Sequence, residues 1–151
     1  MSIEGQKFYP GEETTAQQIL MLADEYRRAA DTLLPTGRRR MPLSRAPYRL
    51  VAIQAIELYL NALLLKRVLT PAKLRGLQHD LAARTALAPA AGLNLRKGTV
   101  KHLQGLSETR EYLISRYCPE KAGSTSELNR LAATLQEVGE KVTAILKRSA
   151  E

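Results

Sequence analysis

Apolar residues recur at three- and four-residue intervals along most of the chain, and four stretches sustain the pattern long enough to predict long helices. In the first, Ile19, Leu22, Ala23, Tyr26, Ala29, Ala30 and Leu33 share one face. Thr14 or Thr15 stands where a helix needs a cap, and Pro35 with Gly37 ends the run. Asp24 with Arg28, and Arg27 with Asp31, have the spacing of ion pairs on its wet side. The second helix starts near Pro47 and extends to about Arg67. Leu50, Val51, Ile53, Ile56, Leu58, Leu60, Leu63, Leu64 and Leu65 cover nearly its whole circumference, which predicts a central position. After Pro71 comes a turn of helix and a break, then a shorter third helix over 78–88 that stops near Pro89. The fourth spans Thr99 to Tyr117, with Val100, Leu103, Leu106, Leu113, Ile114 and Tyr117 inward. Ser124 and Glu127 have the spacing of a capping box. Beyond them Leu128, Leu131, Leu135, Val138, Val142 and Ile145 form a narrow seam suited to antiparallel packing. The pattern predicts an all-α fold, an up-and-down bundle of four long helices plus one shorter helix over residues 14–148. Residues 1–13 show no periodicity and are expected to form a flexible N-terminal arm.

The second helix contains one anomaly. Gln54, Glu57 and Asn61 interrupt its apolar surface, and their spacing puts them on one narrow stripe. A carboxylate without a partner in a core costs several kcal/mol, so Glu57 must be matched from another element. Its partners are either structural, fixing helix register, or part of a pocket that meets a ligand.

Composition narrows the function classes. The chain has 151 residues and 44% hydrophobic content, which suits one domain with its own core. Its single cysteine, Cys118, excludes an intrachain disulfide and fits a reducing, cytoplasmic setting. No segment is expected to cross a membrane, and the first residues lack the apolar core of a signal peptide. His79, His102 and Cys118 lack metal-ligand spacing and no Gly-rich phosphate loop is present, so neither a metal nor a cofactor is expected. A formal charge of +8 favours acidic partners such as nucleic acid or nucleotides. The charge is concentrated between residues 35 and 47, PTGRRRMPLSRAP, where Arg38, Arg39 and Arg40 adjoin. This segment is either a solvated loop or a strip that contacts phosphate, since a guanidinium offers paired donors to phosphate oxygens.

The stretch A-I-E-L-Y-L-N-A-L-L-L from Ala55 to Leu65, followed by T-P-A-K-L-R-G-L-Q-H-D-L from Thr70 to Leu81 and S-R-Y from Ser115 to Tyr117, resembles the HEPN family (higher eukaryotes and prokaryotes nucleotide-binding). The likeness covers roughly residues 15 to 146. It departs from the family at Asn61, where a lysine is usual, and at Cys118, which separates Tyr117 from Pro119. The resemblance implies a helical bundle, often a homodimer, that binds nucleotides or RNA or serves as an interaction module. It also implies a possible nucleotidyltransferase or antitoxin partner. The family bundle would bring Arg116, Tyr117 and His79 to Glu57 as its partners, and on this footing Glu57, Asn61, Arg116 and Tyr117 are candidates for a ligand pocket; Arg38, Arg39 and Arg40 of the basic segment are the candidate phosphate contacts.

Some members of the family are metal-independent endoribonucleases that carry an Arg and a His with four to six residues between them. Arg96 and His102 match that spacing, near the start of the fourth helix. In such a site the pair would activate a ribose hydroxyl and stabilise charge on the phosphate. Three readings therefore leave the sequence: an RNA- or nucleotide-binding module, an endoribonuclease using Arg96 and His102, and a protein-interaction module docking through its basic loop.

Overall fold

The computed structural model describes residues 10–150, and all its regular structure is helical. Residues 1–9 of the expected arm lie outside the described residues, and 10–13 form a turn. The helices are α1 (Ala16–Leu33), α2 (Ala46–Arg67), α3 (Pro71–Gly76), α4 (Leu81–Leu87), α5 (Lys97–Thr109), α6 (Glu111–Tyr117) and α7 (Leu128–Ala150). Helix α2 is the centre: α1, α7, α6, α4 and α3 all pack on it, and α4 and α7 also pack on α5.

Helix α1 begins with a capping box. Thr15 accepts from the Gln18 N–H at 3.1 Å, and Gln18 returns a bond to the Thr15 N–H at 2.9 Å. Its buried face carries Leu20, Ala23 and Ala30, so the stripe is rotated from the expected one, leaving Leu22 47% exposed. The expected pairs on its wet side also change. Asp24 accepts from the Tyr59 hydroxyl at 2.6 Å, Arg28 pairs with Glu25, and Arg27 reaches Glu140 at 3.9 Å. Asp24 leaves its i,i+4 partner because a bond to a buried hydroxyl loses less to solvent than a surface ion pair, and Arg28 then pairs locally with Glu25. Small residues allow this approach. A Cβ on Gly139 of α7 would stand 3.2 Å from the ring of Tyr59, which is fully buried.

Helix α2 with the turn before it, Pro42–Arg67, is long and apolar enough by length and composition to cross a membrane, contrary to the expectation that no segment is. In this fold 72% of its most apolar stretch is buried, so that surface is matched by neighbouring helices. The basic segment before it is not a plain loop. It folds into two short 3₁₀ turns, Leu34–Thr36 and Pro42–Arg45, joined through Arg40 at φ 61°.

The fourth long helix of the sequence reading is broken. Arg110 takes φ 55°, ψ 46°, which ends α5 and restarts the chain as α6 on a new axis. The kink brings Glu111 inside, 2% exposed, where it accepts from the Ser126 N–H and lies 3.8 Å from Arg49. Tyr117, expected inward, is 70% exposed as a result. The Ser124–Glu127 capping box is replaced too. Helix α7 starts at Leu128, so Ser124 lies outside the cap position, and Glu111 rather than a local side chain serves the N–H at 126. The seam of α7 is otherwise as its spacing predicts: Leu131, Leu135, Val138, Val142 and Ile145 are buried.

Candidate functional site

The polar stripe of α2 meets the segment that joins α3 to α4. Gln78 adopts φ 51°, a left-handed conformation that costs a non-glycine residue about 1 kcal/mol. The turn presents the side chain of His79 to α2, where its Nδ1–H donates to Glu57 Oε1 at 3.0 Å. Glu57 is 8% exposed, and the imidazole also lies against Tyr112, with ring centroids 5.2 Å apart. One turn along α2, Asn61 Oδ1 accepts from Arg84 Nε at 2.7 Å. Arg84 is 2% exposed and binds back to its own turn: Nη1 donates to the Asp80 carbonyl at 3.1 Å and Nη2 to the Gln78 carbonyl at 2.7 Å. Burial pulls the Arg84 guanidinium below its ordinary range, and the charges of Glu57 and Asp80 oppose that pull. The helix expected over 78–88 starts only at Leu81, and Asp80 caps it by accepting from the Ala83 N–H at 3.0 Å.

A cavity of about 550 Å³ opens beside this network. Ile19, Leu22, Leu58, Leu65 and Leu74 supply apolar walls, while Glu57, Asn61, Arg75, Gln78, His79 and Arg84 supply most of the polar side. Of the expected partners of Glu57, only His79 contacts it. Arg116 and Tyr117 are exposed at the end of α6, and Arg116 lines a different cleft. Arg84 was not anticipated. Its signal was weak, because an arginine in a short amphipathic helix resembles any surface arginine until the fold buries it.

The second basic feature lies at the start of α2. Arg40, Arg45 and Arg49 line a cleft of about 250 Å³ together with Thr125, Ser126 and Glu127, just before α7. An adjoining hollow of about 220 Å³ shares Arg49 and adds Arg116 and Cys118. Arg38 and Arg39 are exposed on the same segment. Arg49 is 8% exposed, and its Nη1 finds no hydrogen-bond acceptor even though Glu111 Oε2 is 3.8 Å away. Burial draws the Arg49 guanidinium down, and Glu111 counters this. Nothing local marks Arg49 in the sequence, because the apolar run begins after it at Leu50. A charge at the head of a buried helix carries the same signal as Glu57 in its middle.

His102 and Arg96 are placed apart in role. His102 is 9% exposed, with Nδ1 2.7 Å from the Thr134 hydroxyl and Nε2 3.1 Å from the Ser126 hydroxyl. Both ring nitrogens are thus engaged by α7 and the turn before it. Burial, followed by the charges of Arg130 and Arg49, lowers the His102 pKa to about 4, so the ring is neutral at pH 7. Arg96 caps α5 with its side chain exposed, and its N–H donates to Glu137 Oε2 at 2.8 Å. Burial raises the Glu137 carboxyl, but the Thr99 hydroxyl, Lys141 and the Arg96 N–H together bring it below its ordinary value.

The depressed His102 pKa has a consequence for stability. An unfolded imidazole takes its proton near 6.5, the folded one only near 4. Between those values the unfolded chain binds more protons, so stability is full above the upper value and falls as pH drops towards the lower. The loss is on the order of 3 kcal/mol at about 1.4 kcal/mol per pH unit. Urea unfolding at a series of pH values should show this fall, and the slope in that window should flatten in His102→Gln. An unchanged slope in the variant would refute a buried neutral ring.

Comparisons with known proteins add nothing to these observations: no family model, curated protein or solved structure matches the chain.

Proposed function

We propose that the chain is a HEPN-like helical module that binds RNA or a nucleotide, as a homodimer. In this reading α1, α2, the α5–α6 pair and α7 are the four staves of an up-and-down bundle. The observation that carries the binding is the arginine cleft. Arg40, Arg45 and Arg49 converge there, with Arg38, Arg39 and Arg116 nearby, against the carboxylates of Glu111 and Glu127. An excess of guanidinium groups with few acids among them favours phosphate, and Arg49 keeps a buried donor without an acceptor. The overall charge of +8 supports the same class of partner by steering anions to the surface. The exposed apolar residues Met21 and Leu22 on α1 support self-association.

Filter binding of single-stranded RNA at low and at physiological salt tests the reading. Binding should be measurable at low salt and weaken steeply as salt rises, because each phosphate contact releases condensed counterions. No retention at low salt would refute it. The endoribonuclease alternative gains no support from a neutral His102 whose ring nitrogens are both engaged.

A further inference from the structure

We propose that Cys118 is a site of reversible S-thiolation, where it takes up one half of a small disulfide that bears carboxylates. The proposal goes beyond the RNA reading and stands without it.

The thiol lies where the chain changes direction. Cys118 follows the last residue of α6, and Pro119 beside it prevents the helix from continuing. Its N–H still donates to the Ile114 carbonyl at 3.2 Å, and its carbonyl accepts from the Lys121 N–H at 3.0 Å. The backbone is thus held on both sides, while the thiol is free and half-buried. It borders the hollow of about 220 Å³ between the start of α2 and the end of α6. Exchange with a disulfide needs a thiol that a reagent can reach, and this one is neither sealed in the core nor placed on a terminus.

The walls select the reagent. Leu43, Ala46, Ile114 and Ala122 are apolar, and the charged residues of the lining are Arg49 and Arg116, with no acid among them. Arg49 is 8% exposed, and its Nη1 has no hydrogen-bond acceptor, because Glu111 Oε2 at 3.8 Å is beyond bonding reach. A buried donor left without an acceptor is costly, and a carboxylate suits the fork of a guanidinium. Arg116 is exposed, two residues before the thiol, and can meet a second carboxylate. Glutathione has this chemistry, since its sulfur is flanked by two terminal carboxylates. The hollow accommodates one arm of such a tripeptide and leaves the other at the rim with Arg116.

The step is thiol–disulfide exchange. The Cys118 thiolate attacks one sulfur of the reagent, so a new S–S bond forms at Sγ as the reagent's own S–S bond breaks. The departing half leaves with the electron pair as a thiolate and takes up the proton that Cys118 gave to solvent. Cys118 is oxidised, the released half is reduced, and no further oxidant is needed. An outside thiol reverses the step. The chain has one cysteine, so no second thiol of its own displaces the adduct.

Glutathione disulfide and cystamine carry opposite charges around the same reactive bond, and their rates with the full chain, followed by intact mass spectrometry, test the proposal. One glutathionyl group should add per chain, and it marks Cys118 because no other cysteine is present. The unfolded chain in urea keeps the thiol and the net charge but loses the hollow. The preference for glutathione disulfide over cystamine should be about tenfold greater in the folded chain, the lower end of what a cleft lined by one sign of charge adds to association. Arg116→Ala should remove much of that preference while the fold stays intact, since the side chain is exposed. No adduct on the folded chain overturns the proposal. So does an equal preference in the folded and unfolded chains, or an undiminished one in Arg116→Ala.

Discussion

Arg84→Ala is expected to lower stability by about 3–5 kcal/mol, the range for breaking a buried charged network from one side. The substitution does more than remove a cation. It strips the partner from Asn61 Oδ1 and from the Gln78 carbonyl, while the Asp80 carbonyl keeps the backbone N–H of residue 84. An acceptor left without a donor away from water loses its full hydration, whereas an intact bond only exchanges one partner for another. The Gln78 turn is also strained, and Arg84 is what ties it down. Loss of the tie frees His79 and so weakens the match to Glu57. Thermal unfolding followed by circular dichroism should show a midpoint lower by about 10 °C. Arg84→Lys should recover little of it, because an ammonium cannot replace a planar fork that serves three acceptors. A melting point within a degree or two of the parent would show that the network is not what holds α4 to α2.

The second large effect concerns binding. Arg40→Glu combined with Arg45→Glu should reduce RNA affinity at low salt by at least tenfold. Each charged hydrogen bond to phosphate is worth about 1.5–3 kcal/mol, and reversal adds repulsion. The dependence of affinity on salt should flatten by about one counterion for every contact removed. Both residues lie in the segment before α2 and outside the core, Arg40 exposed and Arg45 half-buried. The double variant should therefore melt close to the parent, which separates lost binding from lost folding. Equal affinity and an equal salt slope in the variant would place the RNA elsewhere on the surface.

The two sites differ in how far the chain alone revealed them. Arg38, Arg39 and Arg40 were conspicuous as a run, and their exposure follows from a segment too rich in proline and charge to form a core. What the run did not reveal is that Arg45 and Arg49 join Arg40 around a cleft, since that depends on the 3₁₀ turns and on the approach of the residues before α7. Glu57 and Asn61 were legible as a stripe on a buried helix, and the need for a partner followed from the cost of burying charge. His79 follows as a partner from the family resemblance, which brings its segment beside α2. Arg84 does not, since nothing local distinguishes it.

Periodicity determined the helices, the central place of α2, the ends set by proline and by Thr15, and the seam of α7. Each of these rests on contacts within a few residues or on the repeat of the helix itself, so the chain order contains them. The break at Arg110, the capture of Ser126 by Glu111, the inward turn of His102 and the closure of Arg84 onto Asn61 depend on residues 15 to 32 positions apart. Such contacts are set by how burial trades against lost hydration once the helices have docked. No local pattern records that balance, and only the tertiary structure decides it.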